Sequence, residues 1–129
     1  MMDFQRYISY IEGKSHAPTG PHGCTMWQGG IWRRAGKYSY GRIRNPFPGP
    51  PERMTVHKLV YFLHKRQRPC DLPQRDAHGS PYEISHICHQ TLCTNMQHLV
   101  RETHSINQER LHCKNQGHCS QTHTPFCLM

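Results

Sequence analysis

The stretch from Ser85 to His98, Ser-His-Ile-Cys-His-Gln-Thr-Leu-Cys-Thr-Asn-Met-Gln-His, restricts this chain more than any other. Cys88, Cys93 and His98 recur with four residues between neighbours. Thiolates and an imidazole at such short intervals are what a tetrahedral zinc ion takes. His86 precedes Cys88 by two residues. In an extended strand, residues two apart point the same way. A strand entering the loop can therefore hold His86 beside the metal without spending it as a ligand. Zinc is then the staple, and His86 is left for chemistry.

A staple is needed. Only 35% of the 129 residues are hydrophobic, enough for one domain with a thin core. Seven cysteines and twelve histidines are the available reinforcement. A disulfide framework is the ordinary use of cysteines in a small secreted chain. The odd count, the interleaved histidines and an opening Met-Met-Asp-Phe-Gln-Arg-Tyr with no apolar signal stretch argue for metal instead. Metal-holding thiols suit an intracellular setting, the nucleus in a eukaryotic cell. Sixteen Lys and Arg against eight Asp and Glu give a net charge of +8. Such an excess draws polyanions, nucleic acid first, although solubility alone is the plainer use of it. No apolar run approaches a membrane span.

Along the chain, Phe4, Tyr7, Ile8 and Ile11 have helical spacing within residues 2–14, which predicts a packing helix. Residues 24–44 read as two or three strands anchored by Trp27, Ile31 and Trp32. Alternation puts Tyr38, Tyr40, Arg42 and Arg44 on one strand face, with Arg33, Arg34 and Lys37 in the adjoining turn. Arginine reads guanine edges and phosphates, so this face is the expected DNA platform. A solvated face covered by arginine stems is the alternative. A proline-rich connector then delivers Arg53. Thr55 is positioned to N-cap a helix through Lys65 whose buried stripe is Val56, Leu59, Val60 and Leu63. His57, Tyr61 and His64 read as ordinary helix residues. Tyr82 to Ile87 is an expected strand. Leu99, Val100, Thr103 and Ile106 show helical spacing up to about Arg110, with Asn107 near the middle or end of that helix.

Three ligands in the central loop leave zinc one short. Cys24 is the expected fourth and Cys70 its rival. Cys113, Cys119, His123 and Cys127 form a complete second set, with His112 and His118 as substitutes for His123. Carboxylates are too few and scattered for a paired-metal nuclease site. One hard cation and a neutral base suffice for another design. The imidazole of His86 takes a proton from water near neutral pH. The amide oxygen of Asn107 holds one magnesium ion, which stabilises charge on a phosphate.

Ser85-His86-Ile87-Cys88-His89-x3-Cys93-x4-His98-Leu99, then Asn107, then the Cys113/Cys119/His123/Cys127 cluster, resembles the His-Cys box homing endonucleases, among the ββα-metal or His-Me finger nucleases related to HNH proteins. The resemblance is tight over the C-terminal third and looser upstream through Cys24. It implies an α+β zinc-stapled domain over 1–129. Its parts would be an N-terminal helix and loop (1–23), an antiparallel DNA-binding sheet and helix (24–66), a ββα-metal motif (82–111) and a C-terminal zinc site (112–129). It implies two structural zinc ions, one on Cys24, Cys88, Cys93 and His98, the other on the C-terminal cluster. His86 would be the general base and Asn107 the sole protein ligand of a catalytic magnesium. An arginine, Arg53 or Arg44, would meet the scissile phosphate. The implied activity is magnesium-dependent, site-preferring hydrolysis of double-stranded DNA. The alternative is a catalytically silent, zinc-stapled nucleic-acid-binding module. The family dimerises through a tail beyond the position of Cys127. This sequence stops two residues after it, so the homodimer and its double-strand cut are left open, and a monomer would more naturally nick.

Overall fold

The structure is a computed structural model that describes residues 2–33 and 39–129. Helix α1 (Phe4–Gly13) starts where the Asp3 carboxylate accepts from the Arg6 amide at 3.1 Å, the side-chain cap that an orphan N-terminal N–H requires. It buries Ile8 and Ile11. Strands β1 (Ile31–Arg33), β2 (Ser39–Arg44) and β3 (Arg53–Thr55) form an antiparallel sheet with β2 in the centre. Arg42 lies opposite Thr55 and Arg44 opposite Arg53. The sequence pattern treats Arg53–Thr55 only as the approach to a helix; pairing with β2 makes it a strand.

Helix α2 (Val56–Lys65) follows β3 directly and ends on a left-handed Arg66 whose amide returns to Leu63. Thr55 occupies the N-cap position, but its side chain makes no capping bond. α2 is the hub, packed against α1 and against both sheets. Its buried residues are the expected four plus Phe62. Leu59 and Leu63 are completely enclosed, and each such burial stabilises by about 2 kcal/mol. Close approach of α2 to β2 depends on Gly41. A Cβ there would stand 2.8 Å from the Trp27 ring and 2.9 Å from a Val56 methyl.

Strand β4 (Tyr82–His86) pairs antiparallel with β5 (Leu99–Thr103), His86 opposite Leu99. The expected helix from Leu99 is thus corrected to a strand. Its helical spacing is real, but a full ladder with β4 satisfies the backbone, and local propensity yields to that. Helix α3 (His104–Gln116) begins only after Thr103 and stops at Gly117, which holds φ +85. Asn107 therefore sits in its first turn, not near its middle or end. The hairpin, its loop and α3 together make a ββα unit. Among the described residues, no helix is long and apolar enough to cross a membrane.

Candidate metal centres and active site

The hairpin loop between β4 and β5 carries Cys88, Cys93 and His98, and Cys24 reaches them from outside. The Cys24 segment runs antiparallel beside the loop. Met26 bridges to Cys93, the Trp27 amide donates to the Leu92 carbonyl at 2.8 Å, and the Thr94 amide donates to the Thr25 carbonyl at 2.7 Å. Cys24, Cys88, Cys93 and His98 bring their ligand atoms within 4.8 Å of one another. Nδ1 of His98 is 3.6 Å from Sγ of Cys24 and 3.5 Å from Sγ of Cys93. A zinc tetrahedron with Zn–S about 2.3 Å and Zn–N about 2.05 Å has a sulfur-to-nitrogen edge of roughly 3.6 Å. The sulfurs cannot all ionise side by side unaided. Its hydrogen bond with Cys93 pushes the Cys88 thiol up, and burial pushes Cys24 up, while the bond from Cys88 brings Cys93 down to about 5. A divalent cation removes that conflict, and the donor set fits zinc. Cys70 is exposed and lies outside the group.

The second group is Cys113, Cys119, His123 and Cys127, also within 4.8 Å. Cys113 stands on α3 itself, and the tail supplies the rest. Nε2 of His123 is 3.6, 4.0 and 3.8 Å from the three sulfurs. Its Nδ1 donates to the Pro125 carbonyl at 3.0 Å, which sets the tautomer that leaves Nε2 for metal. Burial opposes ionisation of Cys113, yet bonds from the Ser120 hydroxyl and amide carry it down to about 6. The tail is tied back to the first centre by the Leu128 amide, which donates to the Ile87 carbonyl at 2.8 Å. Neither His112 nor His118 joins this group.

His86 ends β4 beside the first centre. Its Nε2 donates to the Cys93 carbonyl at 3.1 Å, so the neutral ring keeps its lone pair on Nδ1. Burial carries its pKa down to about 4, against the pull of that carbonyl. The ring of His57, on α2, packs against it at a tilt of 45° with centroids 4.3 Å apart. His57 donates Nε2 to the Ile84 carbonyl at 3.1 Å. Burial, with His86 adding to it, holds His57 well below the ordinary histidine value. Tyr40 of β2 also packs on the His57 ring, at 5.7 Å.

Asn107 is aimed by Glu83. Its Nδ2 donates to one carboxylate oxygen at 2.6 Å, and the other oxygen contacts Nδ1 of His104 at 2.7 Å. Asn107 Oδ1 is thereby turned away from the carboxylate. Such an amide oxygen is a hard ligand that suits magnesium. His86, Asn107 and Tyr40 line two clefts together, of about 410 Å³ and about 210 Å³. The larger also exposes Lys58 and Arg101. Arg101 is engaged elsewhere, stacked 4.0 Å over the Tyr82 ring and bonded to the Pro73 carbonyl.

The expected arginines lie elsewhere. Arg53 and Arg44 line a separate cleft with Arg42, away from the two that hold His86. Arg33 is exposed on β1. Arg34, Lys37 and Tyr38 fall outside the described residues. His57 and Glu83 escape sequence reading. His57 sits inside an ordinary apolar helix pattern, and Glu83 sits on a strand 24 positions before its partner Asn107. Only the fold brings either pair together.

A family model for the zinc-binding loop region of homing endonuclease matches residues 33–128. No curated protein matches the chain. The match takes in the whole ββα unit, both cysteine-histidine groups except Cys24, and well over half of the sequence, and so this chain belongs to the His-Cys box homing endonuclease family through its zinc-binding loop region.

Proposed function

We propose that the protein is a magnesium-dependent endonuclease acting on double-stranded DNA. The observation that carries this reading is the shared cleft of His86 and Asn107, each held by its own anchor. Asn107 Oδ1 would hold the magnesium ion, which when bound would supply Lewis-acid stabilisation of charge on the scissile phosphate and the departing 3′ oxygen. His86 Nδ1, unprotonated and half-buried at the edge of the cleft, takes a proton from a water as its oxygen attacks phosphorus. The new P–O bond forms as the bond to the 3′ oxygen breaks, and solvent protonates that oxygen. The Cys93 carbonyl holds the ring in the required tautomer and favours the imidazolium that forms. Glu83 keeps the Asn107 carboxamide from rotating. Lys58 is the cation of the same cleft best suited to meet the phosphate, a role that Arg53 and Arg44 fit less well from their separate cleft.

Supercoiled plasmid incubated with protein and magnesium tests the reading, with His86→Ala alongside. Wild type converts the plasmid to nicked or linear product, and the variant loses rate by two orders of magnitude or more, on the scale of general-base catalysis, while still shifting DNA on a gel. A wild-type protein that shifts the plasmid and leaves it intact is the silent binding module instead.

A further inference from the structure

Helix α1 precedes the part of the chain that the family model matches. Arg6 and Tyr10 on α1 and Lys14 just beyond it recur every four residues, which places them on one helical stripe. The opposite stripe, Ile8 and Ile11, is buried. The exposed stripe faces Arg42, Arg44 and Arg53 of the three-stranded sheet across a cleft of about 590 Å³. Five cations line it and no carboxylate does. Among the described residues, none of the five is in a salt bridge. Lys14 instead lies 5.9 Å from the Tyr10 ring, which is 52% exposed. The floor of the cleft is shaped for this. The Trp27 indole folds back and donates to the Gly30 carbonyl at 2.9 Å. The Arg42 guanidinium lies over Gly30, where a Cβ would stand 3.0 Å from its Nε.

Five unpaired cations around one groove repel one another and wait for anions spaced along it. The occupant must also connect with the His86 cleft, because β2 runs between the two. Tyr40 lines the His86 cleft and Arg44 the basic one. Four residues of strand cover roughly 13 Å, which is roughly four base pairs of duplex rise. We infer that the α1–sheet cleft is a second phosphate-binding surface for duplex DNA, gripping the backbone about four base pairs to one side of the bond over His86. This rests on the endonuclease reading and extends it to residues outside the matched region.

The test is the salt dependence of binding to a fluorescent duplex, with the full chain in calcium so that nothing is cut. Arg6→Gln/Lys14→Gln changes two exposed side chains, and unchanged circular dichroism and zinc content establish that it folds. Each phosphate contact contributes about 0.9 to the slope of log K against log salt, so the double variant has a slope lower by about 2 and binds on the order of tenfold more weakly at moderate salt. Trimming the duplex to two base pairs on one side of the cut erases the difference between variant and wild type. Wild-type slope and affinity in the variant overturn the inference and leave the nuclease reading intact, since wild type still binds and cuts. A loss seen with single-stranded RNA but not with duplex also overturns it. A wild-type chain with no salt-dependent duplex binding overturns both.

Discussion

Nε2 of His86 donates to the backbone carbonyl of Cys93 at 3.1 Å, so the loop that gathers metal ligands also dictates which nitrogen of the histidine is free. A ligand's side chain faces the metal centre while its own carbonyl sets the tautomer of the candidate base. Structural metal and candidate catalysis are thus joined through one residue, and each can be perturbed through the other.

Elemental analysis of the native protein is expected to find two zinc ions per chain, one for each Cys3His group. Cys93→Ser lowers the count to one and abolishes cleavage, because the loop whose carbonyl orients His86 loses its anchor. Cys119→Ser also lowers the count to one but leaves more residual activity, since among the described residues no ligand of that centre shares a hydrogen bond or ring contact with His86. Equal residual activity in the two variants would refute the linkage.

Glu83 acts on Asn107 as an outer partner acts on a metal ligand, and such partners are worth roughly 10–100-fold in metal affinity. Glu83→Gln raises the magnesium concentration for half-maximal cleavage by that order, with the rate at saturating magnesium less affected. A magnesium titration of cleavage checks it, and an unchanged midpoint counts against the role.

His57 gives a pH dependence with a definite sign. Burial holds its folded-state value below the 6.5 of an unfolded histidine. As the pH falls, the unfolded chain binds that proton first. The stabilisation is therefore complete above pH 6.5 and is lost progressively below it, by at most about 1 kcal/mol between pH 6.5 and 5.5. Urea midpoints of wild type and His57→Asn measured at both pH values converge on acidification. A gap that stays constant contradicts the assignment.

Arg110 and Glu102 form a buried pair at 2.6 Å, exposed by only 1% and 5%, and Arg110 also donates to Sγ of Cys127 at 3.6 Å. Removing one partner strands the other charge, at a cost of about 3–5 kcal/mol. Arg110→Met unfolds at markedly lower denaturant, and Glu102→Leu/Arg110→Met recovers most of the loss. Additive losses in the double variant would show that the pair is not coupled.

The ligand spacing of the central loop, the C-terminal cluster, and the amphipathic runs of α1 and α2 were legible because each depends on residues close in sequence. Cys24 was legible only as a preference over Cys70, since a ligand 64 positions before Cys88 leaves no local trace. Residues 99–103 misled for a related reason. Their spacing satisfies a helix, and only the β4 partner, absent from any local window, turns them into a strand.

By itself the sequence determined the chemistry available: two sets of zinc ligands, an unligated histidine beside one of them, a carboxamide downstream and an excess of positive charge. The tertiary structure alone decided which of these meet. It set His57 against His86, turned Asn107 on Glu83, and moved Arg44 and Arg53 to a separate cleft shared with α1. Such pairings join side chains that are distant along the chain, and they are settled by which faces α2 and the two sheets bury together, a property of packing that no local pattern carries.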